Sequence, residues 1–217
     1  MNSSLMPREL KEIHDSLWQE VAWLHLKWSI VMQLYGTAEN VALLNRSAPR
    51  FFAIGQMTWL QDVYLSFCRL TDPPRSAGKD NLCFERYVEL IDPATHPNLR
   101  QTVTNLVVHL QTYCRFARDH RNRRIAHLDL STKLGRHPQP VAQVTKAEIE
   151  GGFDRIRNLI NTIEVAYGLN STLFGFDEEG DGTDVVQLLR DAEAWQAAEE
   201  ARERAALESV HTERPKD

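Results

Sequence analysis

Five arginines and two histidines crowd into one fifteen-residue stretch of this chain, RFARDHRNRRIAHLD, from Arg115 to Asp129. The cations are Arg115, Arg118, Arg121, Arg123 and Arg124, the imidazoles are His120 and His127, and only Asp119 and Asp129 oppose them. The whole chain carries a formal charge of −5, so the stretch is a local exception. Such a set suits chemistry at a phosphate. In RNA cleavage without a metal, a 2′-hydroxyl attacks the adjacent phosphorus and the departing 5′-oxygen needs a proton. A histidine titrating near neutrality can supply or remove protons. An arginine fork can stabilise the charge that grows on the phosphorane. One Arg and one His are the smallest kit for this reaction, and a two-fold axis would double it.

A plainer account stands beside that one. Basic side chains near a helix C-terminus are favoured by the helix dipole alone, and Asp119 and Asp129 are available for ordinary ion pairs. That explains one or two basic residues better than five. His120 reads as a surface residue. The other histidines (His14, His25, His96, His109, His137 and His211) are scattered and form no metal-ligand pair such as HExxH.

The elements that must position these groups read as helices. Leu17, Val21, Leu24, Trp28, Val31 and Leu34 recur at steps of three and four, which predicts a first helix from about Pro7 to Leu34. Trp18 and Trp23 are expected to widen its apolar face, and Gly36 to end it. Ser47 reads as the N-cap of a second long helix, with Pro49 in its first turn. Phe51, Ile54, Met57, Trp59, Leu60, Val63, Tyr64, Phe67 and Leu70 make that helix apolar around much of its girth, hence central. Thr71-Asp72-Pro73-Pro74 stops it, and PPRSAGKDN reads as a loop. A short helix follows over Leu82–Ile91. A third long helix starts near Pro97, and its stripe of Val103, Val107, Leu110, Cys114 and Ala117 continues into Arg121. STKLGRHPQPV is expected as a loop. Thr145 and Glu148 form a capping box for a helix with Ile149, Phe153, Ile156, Leu159, Ile160, Ile163 and Tyr167 inward, ended by Gly168.

No segment alternates with period two between hairpin turns, so the fold class is all-α, an antiparallel helical bundle of four to five main helices. Residues 1–170 read as the bundle, and 171–217 as an acidic linker with a polar C-terminal helical extension. From Asp177 onward there are 13 acidic and 5 basic residues, a net −8 that leaves +3 for the remainder. The sign of this arm suits it to cover the basic stretch. Asp177, Glu179 and Asp181 resemble a calcium loop only superficially, because the twelve-residue ligand pattern is missing. No cofactor and no metal is expected. Three cysteines without CxxC spacing read as buried, reduced thiols, and the polar N-terminus lacks a secretory signal, so the expected location is cytoplasmic, with no membrane partner.

Arg121-Asn122-Arg123-Arg124-Ile125-Ala126-His127 resembles the Arg-x(4–6)-His motif of HEPN domains, in which a polar residue, often Asn, follows the Arg. HRNRRIAHLDL together with the later FDRIRNLINTIEVAYG resembles the AbiU-type abortive-infection branch, over roughly residues 10–170. The resemblance implies a helical bundle that forms a homodimer and brings two Arg/His pairs into one cleft. It implies a metal-independent endoribonuclease acting in phage defence or toxin–antitoxin growth arrest, with an antitoxin or regulatory protein as a further partner. Carried over, Arg121 is the phosphate-binding arginine and His127 the acid/base, while Asn122 orients the site or contacts RNA. Arg118, Arg123 and Arg124 then line the approach for RNA. Some HEPN toxins carry a modifiable Tyr two residues after the His. Here Asp129 stands there, a departure from that pattern. A non-catalytic module of the same fold, binding RNA or a protein through the basic cluster, is the alternative.

The spacing sets one problem. Six residues on a regular helix turn about 600°, which leaves Arg121 and His127 on different faces. Arg123 and His127, four apart, would share one. Either the helix distorts before His127 or a partner subunit completes the pair.

Overall fold

The computed structural model describes residues 5–127, 129–174 and 180–212, with side chains to residue 208. Nine helices run through the described residues: α1 Arg8–Tyr35, α2 Ala38–Ser47, α3 Pro49–Thr71, α4 Glu85–Leu90, α5 Pro97–Tyr113, α6 Arg115–His120, α7 Leu130–Lys133, α8 Lys146–Ala166 and α9 Asp181–Thr212. The fold is all-α, as the apolar periodicity predicts. The one β feature among the described residues is a small hairpin, β1 Arg75–Ser76 with β2 Lys79–Asp80, where a plain loop is expected. Ala77 and Gly78 turn it with φ of 49° and 76°, the positive values a two-residue hairpin turn requires.

The chain forms two compact units. The first comprises residues 1–28 and 57–176. Its core takes Leu17, Val21 and Leu24 from α1, Val63 and Phe67 from α3, Phe84 and Tyr87 around α4, and the expected inward row of α8, all buried. The capping box at the start of α8 is present: Glu148 N–H donates to Thr145 Oγ1 at 3.2 Å, and Thr145 N–H to Glu148 Oε2 at 2.8 Å. The α8 backbone passes so close to α3 that a methyl group on Gly152 would lie 2.8 Å from the Phe67 ring. A buried polar line also crosses this core. His14 Nδ1 meets the Tyr87 hydroxyl at 3.0 Å, its Nε2 lies 3.5 Å from Glu164, and Glu164 accepts from Thr172 N–H at 2.8 Å.

The second unit comprises residues 29–56 and 177–217. Here α2 packs on α9 through charge: Arg46 grips Glu193 with two bonds of 3.0 Å, and Arg190 donates to Glu39 at 2.9 Å. One acid of α9, Glu193, thus meets a basic residue of α2, while Arg190 of α9 meets an acid of α2. Of the superficial calcium loop, Asp177 and Glu179 lie outside the described residues.

Several expectations are corrected. The stretch between Gly36 and Pro49 is itself a helix, α2, capped by Thr37, whose Oγ1 accepts from Asn40 N–H at 3.1 Å. Ser47 is therefore no N-cap: it ends α2, and its hydroxyl donates back to Leu43 O at 2.9 Å. Trp18 and Trp23 do not widen the buried face of α1, and Trp23 is 60% exposed. The start of α3 is not central, since Phe51, Ile54 and Met57 are all exposed. The third long helix is interrupted at Cys114, whose ψ of 14° departs from helical values, which separates α5 from α6. Its stripe survives the break: Val103, Val107, Leu110, Cys114 and Ala117 are all buried. The loop after the basic stretch opens with the single turn α7, capped by Asp129. Cys68, Cys83 and Cys114 are free and buried, as read from their spacing.

Candidate functional site

The basic stretch begins on α6, and the helix then changes form. Residues Arg121–Ile125 make a π turn, in which Ala126 N–H donates to Arg121 O, five residues back, at 2.8 Å. Such turns are rare insertions in helices and recur at functional sites. The helix is over by His127. The distortion that the Arg121–His127 spacing called for is therefore present, and the i, i+4 geometry that would have favoured Arg123 with His127 is lost.

Each arginine has its own environment. Arg121 continues the buried stripe of α5 and α6 and meets the end of α3. Its Nη1 donates to both carboxylate oxygens of Asp72, at 3.0 and 2.8 Å, and its Nε donates to Asn122 Oδ1 at 3.1 Å. Its Nη2 makes no hydrogen bond among the described residues. Arg118 reaches the same helix end, donating to Thr71 O at 2.9 Å and to Thr71 Oγ1 at 3.2 Å, with Asp72 at 3.6 Å. Two guanidinium groups thus share one carboxylate, and the trio keeps a net charge of +1. Arg123 faces the other way and is fully engaged. It pairs with Asp119 at 3.2 Å and donates to Thr132 Oγ1 at 3.1 Å and to Gln139 O at 2.5 Å. It braces the π turn against α7 and the loop beyond.

Arg124 and His127 are exposed and have no hydrogen-bond or ion-pair partner among the described residues. Asn122 is exposed too, its amide oxygen held by Arg121. His120 is not on the surface. It is buried, its Nε2 donates to Ala142 O at 2.9 Å, and its ring lies 4.8 Å from that of Tyr64. It lines a cleft beside the π turn, and its bond to Ala142 O pins the loop there.

A cleft of about 540 Å³ opens beside the π turn. Met57, Leu60, Gln61 and Tyr64 of α3 form one wall, Arg123, Arg124 and Ile125 a second, and Asp129, Thr132 and Lys133 a third. Arg121 and His127 do not line it. Asp129 is occupied as the α7 cap, accepting from Thr132 N–H at 2.6 Å and from the Ser131 hydroxyl at 2.7 Å. Those bonds hold its carboxyl down at about 2. Asp72, Thr71, Gln61 and Tyr64 are the participants that the sequence leaves unmarked. Asp72 is visible there only as part of a helix stop, and nothing local says that it faces an arginine 49 residues later.

Among the described residues no three His, Cys, Asp or Glu side chains are grouped to hold a metal ion. Among the described residues no helix is long and apolar enough to cross a membrane. A family model described as AbiU2, of the HEPN type, matches residues 8–188. No curated protein and no solved structure gives a match.

Proposed function

The chain belongs to the AbiU2 family of HEPN domains, and from that premise we propose that it is a metal-independent endoribonuclease serving abortive infection or growth arrest. The observation that carries this reading is the state of the two motif residues. Arg121 is fixed in direction by Asp72, and among the described residues its Nη2 and the exposed His127 imidazole just past the π turn have no partner. A phosphate at Nη2 would meet a guanidinium that needs no further ordering, which is what electrostatic stabilisation of a phosphorane requires.

In this mechanism the 2′-hydroxyl loses a proton to an imidazole as it attacks phosphorus. The P–O5′ bond breaks, the leaving oxygen takes a proton, and the products carry a 2′,3′-cyclic phosphate and a 5′-hydroxyl. The proton in and the proton out suit two imidazoles better than one, which favours a homodimer with a His127 from each subunit. Arg124 draws the RNA strand in, Asn122 holds Arg121, and Arg118 and Arg123 position the turn from behind. An antitoxin or regulatory protein would act by covering Arg124 and His127.

The test is cleavage of single-stranded RNA in EDTA. His127→Ala is expected to lower the rate by about 10²–10⁴, the usual contribution of a positioned acid/base, with RNA affinity retained. An undiminished rate in that variant overturns the reading. The second reading, a non-catalytic RNA- or protein-binding module, is favoured by the Asp72 pair, which offsets the charge of Arg121. It predicts salt-dependent binding with no cleavage in the unaltered protein.

A further inference from the structure

We propose that the cleft beside the π turn is a nucleobase subsite, which takes one unstacked adenine of single-stranded RNA next to the phosphate handled by Arg121 and His127. This inference rests on the ribonuclease reading for its substrate. The cleft, at about 540 Å³, falls in the ordinary range of small-molecule sites. Its walls supply the parts that single-stranded RNA recognition uses: an apolar and aromatic surface for a base, a polar group for its edge, and a cation for its phosphate.

Met57, Leu60, Tyr64 and Ile125 give the apolar surface. Met57 is 55% exposed although it faces this cleft, so covering it removes apolar area from water. Gln61 lies among them, half-buried, and its amide makes no hydrogen bond among the described residues. The amide is open to solvent in the cleft and free to meet a base edge there. A glutamine amide matches the N6/N7 edge of adenine with two bonds, donating to N7 and accepting from the N6 amine.

Charge distinguishes the rim from the floor. Arg124 and Lys133 are exposed and uncommitted among the described residues, whereas Arg123 and Asp129 are spent on Asp119 and on the α7 cap. The rim is therefore net positive toward a ligand. The cleft adjoins the candidate site along the chain. Arg124 and Ile125 line it and belong to the π turn that begins at Arg121, whose own side chain turns to Asp72. A base in the cleft and a phosphate at Arg121 then belong to the same or adjacent nucleotides.

The experiment is calorimetric titration of the full chain with AMP, UMP and ribose 5-phosphate. AMP is expected to bind about tenfold or more tightly than the other two, the discrimination one two-bond base contact gives. Gln61→Leu keeps the side-chain volume and breaks no hydrogen bond among the described residues. It should abolish the AMP preference, while Arg124→Gln weakens all three ligands alike. Equal binding of AMP and ribose 5-phosphate, or an AMP preference that survives Gln61→Leu, overturns the subsite. RNA cleavage in EDTA on the same preparations reports separately. Nucleotide binding as expected without cleavage sinks the ribonuclease reading and leaves the subsite standing. Cleavage without base preference does the reverse.

Discussion

Asp72 sets the behaviour of two cationic residues in the motif stretch while lying far from it in sequence. Its carboxylate is three-quarters buried, like the Arg118 and Arg121 side chains it holds. Removing it leaves two part-buried guanidinium groups without their acceptor. Asp72→Asn is therefore expected to cost about 1–3 kcal/mol of stability by urea denaturation. It should also slow RNA cleavage, because Arg121 loses its fixed direction. If the rate is unchanged while stability falls, Asp72 is a structural brace only. A second prediction at this scale concerns His25, which packs 4.3 Å from the Phe153 ring and 4.8 Å from that of Phe174. Burial pushes its pKa from 6.5 down to about 4, and Arg157 adds to the effect. The folded state thus binds fewer protons than the unfolded chain between those values. Stability is full above about pH 6.5 and falls as the pH drops toward 4, by up to about 3 kcal/mol. Burial lowers His14 as well, so His25→Leu should reduce the acid slope of the unfolding free energy without abolishing it. An unaltered slope refutes the assignment.

The helices owe their placement to a few close fits and caps. Gly152 lets α8 approach Phe67 on α3, and a side chain added there would be 2.8 Å from the ring. Gly152→Ala is expected to destabilise by about 1–3 kcal/mol through overpacking, read as a lower midpoint in denaturant with unchanged slope. Thr145 caps α8, and Thr145→Ala should cost about 1 kcal/mol. A Thr145→Ser variant keeps the hydroxyl and should lose much less. The π turn belongs to this scale too. It lies where α6 has run past the end of α3, and its extra residue lets Arg121 turn to Asp72 on one side while Arg123 and Arg124 turn to the cleft on the other.

For the whole molecule, the proposed activity depends on a second copy. Arg121 and His127 of one chain are not bonded to each other, and the proton bookkeeping calls for two imidazoles. The protein is expected to sediment as a dimer. Mixing His127→Ala chains with unaltered chains should lower cleavage by more than dilution alone, since every mixed dimer holds a single His127. A rate that falls only in proportion to the unaltered chains, with exchange of subunits verified, argues that each site is complete within one chain.

The amino-acid sequence by itself determined the helices and which faces they bury. The rows Leu17 to Leu34 and Ile149 to Tyr167, the capping box at Thr145 and the burial of all three cysteines are consequences of local periodicity and local hydrogen bonding, which neighbours in sequence set. The Arg-x5-His motif, too, was legible there, with the family to which it belongs. Only the tertiary structure decided what surrounds those residues. That Arg121 faces Asp72, that Arg123 reaches Gln139, that His120 is buried against Tyr64 and that Gln61 lines a cleft are outcomes of packing between segments 16 to 56 or more residues apart, or of one turn wound with an extra residue. A helical period cannot register that extra residue, because the bonds that accompany it run to groups distant in sequence. The six-residue step between Arg121 and His127 was the one place where the sequence conflicted with a regular helix, and there the helix departs from regularity.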